Sequence, residues 1–112
     1  VKDIQKNRIG SAKALQKKYG CIIILKGNGT IICNKNDIYL CSSGGPELAV
    51  AGSGDILSGI IGSLIAQGLT PFDAAKTGVV IHSLAGEDFA NDVGKIGLAA
   101  GELIPYVRKF LN

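Results

Sequence analysis

The feature that most constrains this chain is the segment from residue 51 to residue 61, in which small residues give way to one carboxylate and then to apolar residues. Gly52 and Gly54 have no Cβ, so the backbone there can turn sharply and approach a ligand. The residues that follow are apolar at helical spacing. The segment therefore predicts a loop followed by a helix, whose N-terminus carries unpaired backbone N–H groups and a partial positive charge.

That helix end is a candidate phosphate site, because unpaired donors and the helix dipole both favour an anion. The donors would be the N–H groups of Ser53, Gly54 and Asp55. The Asp55 carboxylate would lie where a hydroxyl meets a transferring phosphoryl group, and its role there would be to accept the hydroxyl proton. The structural alternative is that Asp55 only caps the helix and complements its dipole.

The body of this helix combines an apolar stripe with glycines. Gly59 and Gly62 each cost about 1 kcal/mol relative to Ala inside a helix. A helix that tolerates this cost is expected to pack closely on both sides, as a central helix does. The stripe consists of Ile56, Leu57, Ile60, Ile61, Leu64 and Ile65.

The first quarter of the chain predicts a helix followed by a strand, which is α/β organisation. Residues 2–19 form an amphipathic pattern that ends at Gly20, a residue suited to cap a helix. Residues 21–25 are a continuous apolar run, typical of a strand buried on both faces. The apolar side of the helix would consist of Ile4, Ile9, Ala12, Leu15 and Tyr19.

The loop that follows, residues 26–30, has two interpretations that the residues leave open. Lys26 can meet a phosphate as a mobile cation, and Gly27 and Gly29 allow the backbone to approach it. The Asn28-Gly29 pair is also a strong hairpin signal before the apolar residues 31–33. A turn at residues 34–37 and a short strand at 38–41 then predict an antiparallel edge beside a parallel sheet.

Turn and cap residues organise the second half. Residues 42–46 form a loop that leads to the glycine turn. Gly68 ends the central helix, and Thr70, as N-cap, begins a helix that reaches about Phe89. A turn over residues 91–97 leads to a last helix that extends to Leu111.

Single residues of these helices also carry expectations. His82, the only histidine, is expected to be a packed or interface residue, because no metal-ligating partner lies at a suitable spacing. Glu87 and Asp88 are expected to be solvated charges at the end of their helix. Pro105 is tolerated in the last helix if it lies in the first turn.

Composition excludes several classes of function. The net charge is only +3 and the lysines are scattered with few aromatic residues near them, so neither a nucleic-acid surface nor a membrane partner is expected. Cys21, Cys33 and Cys41 lack metal-ligand spacing and are expected to be buried, reduced thiols of a cytoplasmic protein. No metal site is predicted, and neither a Walker A nor a Gly-x-Gly-x-x-Gly motif is complete.

At residues 52–59 the chain resembles the signature of the ADP/ATP-dependent NAD(P)H-hydrate dehydratases, a family of the ribokinase-like superfamily. Residues 25–30, 66–75 and 97–104 are similar to further segments of that family. The chain departs from the family at residues 44–49, where Gly-Gly-Pro-Glu-Leu-Ala replaces an Asn-Gly-Asn-Pro-like stretch and Met-Ala. The side-chain contacts of that stretch therefore need not be kept.

The resemblance implies a ribokinase-like α/β fold with three α/β/α layers, present here as a C-terminal fragment with a mixed sheet edge. Residues 1–112 would be the C-terminal part of one nucleotide-binding domain whose N-terminal part is missing. The chain contains no methionine and begins with Val1, which agrees with this expectation. The missing segment and a second copy of the chain are the expected protein partners.

The resemblance also implies an activity: hydrated NADH or NADPH is dehydrated after ADP or ATP, accompanied by Mg²⁺, has phosphorylated the ring hydroxyl. Asp55 would contact the substrate as the base, and Ser53, Gly54 and Asp55 would form the anion hole. The alternatives are a small-molecule kinase for a sugar or vitamin alcohol and a non-catalytic nucleotide-binding fragment. The fragment alone is expected to be inactive. The nucleotide-binding residues would be Lys26, Gly27, Asn28, Gly29, Thr30, Gly45, Ala51, Gly52, Ser53 and Gly54.

Overall fold

The computed structural model describes the backbone of residues 2–112 and the side chains from Asn7 onward. The chain forms two compact units, Val1–Ser42 and Ser43–Asn112. The first unit contains one helix and a small sheet, and the second contains three helices. The observed fold is therefore α/β with a small antiparallel sheet.

In the first unit, helix α1 spans Lys2–Tyr19, as predicted. Gly20 ends it with φ 66°, and its N–H donates to the Gln16 carbonyl at 2.7 Å. Ala12 is buried against the sheet, but Leu15 and Tyr19 are 38% and 63% exposed, so their predicted place on the packed side is wrong. The side chain of Ile4 lies outside the described residues.

The length of the strands explains this exposure. An 18-residue helix is about 27 Å long, whereas strands of three or four residues span only about 10–14 Å. The sheet can therefore cover only part of the inward side of α1.

The sheet is an antiparallel meander with the order β1-β2-β3. Its strands are β1, Ile23–Leu25; β2, Thr30–Cys33; and β3, Ile38–Cys41. The predicted hairpin between β1 and β2 is confirmed, with Ile24 paired to Ile32. The turn at residues 34–37 is also confirmed, because the Asn34 side chain accepts hydrogen bonds from two backbone N–H groups that follow it.

Two predictions about burial in this unit are wrong. β1 is only half-buried, while the apolar side chains of the central strand β2 are buried. The reason is position, since β2 has a strand on each side and β1 has one strand neighbour among the described residues. Cys21 precedes the sheet and is exposed, whereas Cys33 and Cys41 are buried.

In the second unit, α3 is the central helix and packs against both α2 and α4. These helices span Ser53–Ala66 (α2), Pro71–Asp92 (α3) and Leu103–Leu111 (α4). Short 3-10 turns at Pro46–Leu48 and Ala100–Glu102 precede α2 and α4. The core consists of Ile60, Leu64, Ala74, Ile81, Ala85, Phe89, Leu98, Leu103 and Val107.

Helix α2 packs on one side, which corrects the prediction of close packing on both sides. Gly59 and Gly62 are exposed, and a Cβ at either would meet nothing within 4 Å. The close approach occurs instead at Gly78 of α3, where a Cβ would lie 2.7 Å from the Ile61 side chain. The small residue that this packing requires is thus on the partner helix.

The predicted boundaries of α2 and α3 are largely confirmed, whereas α4 begins at Leu103 rather than directly after residue 97, because the 3-10 turn Ala100–Glu102 precedes it. Gly68 adopts φ 106° after α2. Thr70 caps α3, because its hydroxyl accepts a hydrogen bond from the Asp73 N–H at 3.2 Å. α3 extends three residues beyond the predicted end, to Asp92. Pro105 lies in the first turn of α4, as expected.

Near its end, α3 also contacts α4 through a polar pair. The Tyr106 hydroxyl donates a hydrogen bond to the Asp92 carboxylate at 3.0 Å, which raises the pKa of Tyr106 above its ordinary value.

None of the described helices, over residues 2–112, is both long and apolar enough to cross a membrane.

Replacing Thr70 with Ala should lower the free energy of unfolding by about 1 kcal/mol, because the Asp73 N–H loses its acceptor. Denaturant unfolding of the purified chain measures this change. Thr70→Ser is the matched control, since it keeps the hydroxyl and should stay within about 0.5 kcal/mol of the unmodified chain. Equal losses in the two variants would contradict the capping role.

Candidate functional site

The candidate site is built on a tight turn that ends at Gly52 and on the first turn of α2. Gly52 adopts φ +86°, a left-handed conformation that side-chain-bearing residues rarely adopt. Its carbonyl accepts hydrogen bonds from the N–H groups of Asp55, at 3.1 Å, and Ile56, at 3.2 Å. A Cβ at Gly52 would also lie 3.2 Å from the Ala100 side chain. The position therefore favours glycine because of its left-handed backbone, and the space beside Ala100 is also tight.

The three predicted anion-hole donors differ in their present partners. The Ser53 N–H points to the Val50 carbonyl at 3.3 Å, a long and therefore weak hydrogen bond. The Asp55 N–H is bonded to the Gly52 carbonyl at 3.1 Å. For the Gly54 N–H, no backbone acceptor is found among the described residues. A phosphate at this position would therefore meet one N–H group that has no backbone acceptor among the described residues, that of Gly54. The N–H groups of Ser53 and Asp55 would have to break or share their present hydrogen bonds in order to bind it.

Side-chain burial divides this turn into an inner and an outer side. The Ser53 side chain is buried, at 1% exposure, Gly54 is half-buried, and Asp55 is exposed. Asp55 is the third residue of α2, so its carboxylate lies at the positive end of the helix dipole. The carboxylate is therefore accessible to a hydroxyl group of a ligand.

On the inner side of the turn, Ser53 lies within hydrogen-bond distance of His82. His82 is 3% exposed, and its Nε2 atom lies 3.0 Å from Ser53 Oγ and 3.1 Å from the Ser53 carbonyl oxygen. The prediction of a packed histidine is confirmed. No local pattern indicated the partner, because Ser53 and His82 lie 29 positions apart on different helices.

Helix α3 also holds the loop before α2 through a second polar contact. The Glu87 carboxylate accepts a hydrogen bond from the Gly44 N–H at 2.8 Å and is half-buried, so its prediction as a solvated charge is wrong. Asp88 is also half-buried. A Cβ at Gly44 would lie 3.3 Å from the Ser83 side chain, and one at Gly86 would lie 2.7 Å from Leu48.

Glu47 is a second polar residue that sequence reasoning missed. It is 2% exposed, and its Oε1 atom is the buried side-chain atom for which no hydrogen-bond partner is found within the described part of the chain. Its carboxylate lies over Gly45, where a Cβ would be only 2.5 Å away. A nucleotide bound at Gly45, as predicted, would therefore contact backbone atoms that lie next to the buried carboxylate of Glu47.

The remaining predicted nucleotide residues belong to the first unit, in the loop between β1 and β2. Lys26, Gly27 and Asn28 are exposed there. The Arg8 guanidinium donates to the carbonyls of Asn28, at 2.7 Å, and Leu25, at 3.2 Å. Arg8, which the sequence did not indicate, thus fixes the shape of this loop. Gly29 and Thr30 are half-buried beside it.

No group of three or more His, Cys, Asp or Glu side chains able to hold a metal ion occurs among the described residues. The chemistry available at the start of α2 is therefore that of backbone donors and one exposed carboxylate.

Comparison with known proteins decides the family. The family model described as NAD(P)H-hydrate dehydratase matches residues 1–109. The chain belongs to this family. A bifunctional NAD(P)H-hydrate repair enzyme of Coxiella burnetii is 43% identical over 98% of this chain. An ADP-dependent (S)-NAD(P)H-hydrate dehydratase of Neisseria meningitidis is 39% identical over the whole chain.

The solved structures of the dehydratase family agree. The ADP/ATP-dependent NAD(P)H-hydrate dehydratase of Bacillus subtilis, co-crystallised with ATP/Mg²⁺, superposes with a TM-score of 0.89 over 96% of this chain, at 29% identity. A ribokinase-like superfamily protein of Enterococcus faecalis superposes with a TM-score of 0.71 over 88% of the chain, at 31% identity. The fold therefore matches part of a ribokinase-like structure.

Coverage of the relatives is partial. The chain spans 23% of the Coxiella enzyme, 38% of the Neisseria enzyme and 39% of the Bacillus structure.

Replacing Gly52 with Ala should lower the free energy of unfolding by about 1–2 kcal/mol, because the left-handed backbone becomes strained. Denaturant unfolding is the measurement. Gly59→Ala in the same helix is the control and should raise stability by about 0.5–1 kcal/mol, since nothing lies within 4 Å. A neutral Gly52→Ala variant would contradict the strained turn.

Proposed function

We propose that this chain carries the nucleotide-facing and proton-accepting part of an ADP- or ATP-dependent NAD(P)H-hydrate dehydratase. The most direct support is the geometry at the start of α2. There the exposed Asp55 follows the turn at Gly52, and the buried contact between Ser53 and His82 joins that turn to α3. Family membership supplies the reaction class, since relatives with this name match almost the whole chain.

In the proposed reaction, Asp55 accepts the proton of the hydroxyl on the hydrated nicotinamide ring. The hydroxyl oxygen forms a bond to the transferring phosphorus as the bond to the departing nucleotide breaks. Phosphate then leaves with the electron pair of the C–O bond, and loss of a proton from the neighbouring carbon restores the ring double bond. The N–H groups of Ser53, Gly54 and Asp55 stabilise the negative charge on the phosphoryl group.

The nucleotide would be held by loop backbone rather than by many side chains. In the second unit, the proposed contacts are at Gly45 and at residues 51–54; in the first unit, they are at residues 26–30. The exposed Lys26 supplies a cation for phosphate, and glycines at these positions leave the backbone accessible. Mg²⁺ would arrive with the nucleotide and neutralise phosphate charge.

The proposal also includes expectations about the whole domain, its assembly and its location. The three-layer arrangement and the mixed sheet would be completed in the whole domain, of which this chain matches a part. A homo-oligomer and a cytoplasmic location are proposed as well.

Asp55→Asn in the full-length protein, of which this chain is all or part, tests the base. The rate of NADPH formation from hydrated NADPH with ADP or ATP should fall about 100-fold or more, because the amide cannot accept the proton. Absorbance of NADPH gives this rate. The dissociation constant of the nucleotide, measured by calorimetry, should change little.

Asp73→Asn is a closely matched control. Asp73 is also an exposed carboxylate at the third position of its helix, but its partner is Lys76, at 3.4 Å. This variant should retain full activity. An Asp55→Asn variant that keeps more than a tenth of the rate would remove Asp55 from the mechanism. Phosphorylation of a sugar or vitamin alcohol without NADPH formation would favour a kinase instead.

A further inference from the structure

The buried histidine of α3 reaches the candidate site only through Ser53. His82 lies in the second half of α3 and is almost completely buried, as is Ser53 at the start of α2. Their side chains meet at 3.0 Å. Buried polar groups of this kind are costly unless they are hydrogen-bonded, so the pair holds the two helices in one relative position.

The Nε2 atom of His82 contacts two oxygens of Ser53. The Ser53 carbonyl oxygen can only accept a hydrogen bond, and it lies 3.1 Å from Nε2. With its proton on Nε2, the ring donates to that carbonyl, and Ser53 Oγ lies within hydrogen-bond distance of the same nitrogen. His82 therefore contacts both the side chain and the backbone of Ser53.

That residue is the first of the three predicted anion-hole donors. Ser53 directs its side chain inward to His82, while Gly54 and Asp55 follow on the outer side of the turn. A shift of Ser53 would move the donors and the carboxylate together. Misplacement of reacting groups by about 1 Å can cost about 100-fold in rate.

We propose that His82 is a positioning residue for phosphoryl transfer, which fixes the first turn of α2 through Ser53; this proposal rests on the proposed function. His82 itself does not touch the reactants, because it is buried behind Ser53. A second contact supports the role of α3 in holding neighbouring segments in position. Glu87 holds Gly44 at a point five residues, or about 7.5 Å, further along the same helix.

The first experiment compares His82→Leu with His82→Gln in the full-length protein. Leu removes the N–H, whereas Gln can place an amide N–H near the position of Nε2. We expect His82→Leu to lower kcat about 10- to 100-fold with little change in the nucleotide KM. His82→Gln should recover most of this loss. A purely structural role would not produce this separation between kcat and KM with rescue by Gln.

The control is Ile81→Ala, a core truncation on the same helix that destabilises the fold and keeps the His82 side chain. With rates expressed per folded molecule, its kcat should be unchanged. Ser53→Ala should lower kcat less than His82→Leu, because the carbonyl acceptor remains. A double variant no slower than His82→Leu alone would show that the two side chains act together.

Hydrogen exchange tests the proposal without reference to the reaction. In His82→Leu, amides 55–57 at the start of α2 should exchange faster, while those in the middle of α3 change little. His82→Gln should restore slow exchange. A folded His82→Leu variant with unchanged exchange and kcat within twofold of the unmodified protein would overturn the positioning role. Accelerated exchange in a protein without dehydratase activity would instead overturn only the proposed reaction.

Discussion

The close packing of α2 against α3 is the constraint on which the second unit depends. Gly78 allows the Ile61 side chain to approach α3 so closely that a Cβ there would lie 2.7 Å away. The same two helices are joined at the start of α2 by the buried contact between Ser53 and His82. One contact is apolar and sets the separation of the helices. The other is polar and directional, so it fixes the position of the helix start.

This arrangement explains how an exposed site can be held rigidly. Under the proposed function, Asp55 and Gly54 have to be accessible to a ligand, so they cannot be held by burial of their own atoms. Their position is therefore set by the buried contact of Ser53 with His82 and by the left-handed turn at Gly52, which glycine adopts without strain. Glu87 extends the same principle to the preceding loop by holding the Gly44 N–H. The proposed functional loop is thereby held by contacts to α3 in addition to its own backbone hydrogen bonds.

Local sequence patterns predicted most elements of the fold. The end of α1 at Gly20, the hairpin at Asn28-Gly29 and the cap at Thr70 each follow from the chemistry of a few adjacent residues. Burial was predicted less well, because it depends on what lies opposite. The apolar residues of β1 are half-buried at the edge of the sheet, and Leu15 lies beyond the reach of the short strands.

The residues of the candidate site likewise fall into those that local sequence patterns predicted and those that they did not. The segment from Gly52 to Asp55 is recognisable because a glycine turn, a carboxylate and an apolar stripe are adjacent in the chain. His82, Glu87 and Arg8 act on residues that are 29, 43 and 20 positions distant, and no periodicity connects such pairs. The sequence by itself therefore determined the family, the helices and strands, and the exposed carboxylate. Only the tertiary structure decided that the buried His82 contacts the helix start that carries this carboxylate, because hydrogen bonds between helices depend on packing distances that local patterns do not encode.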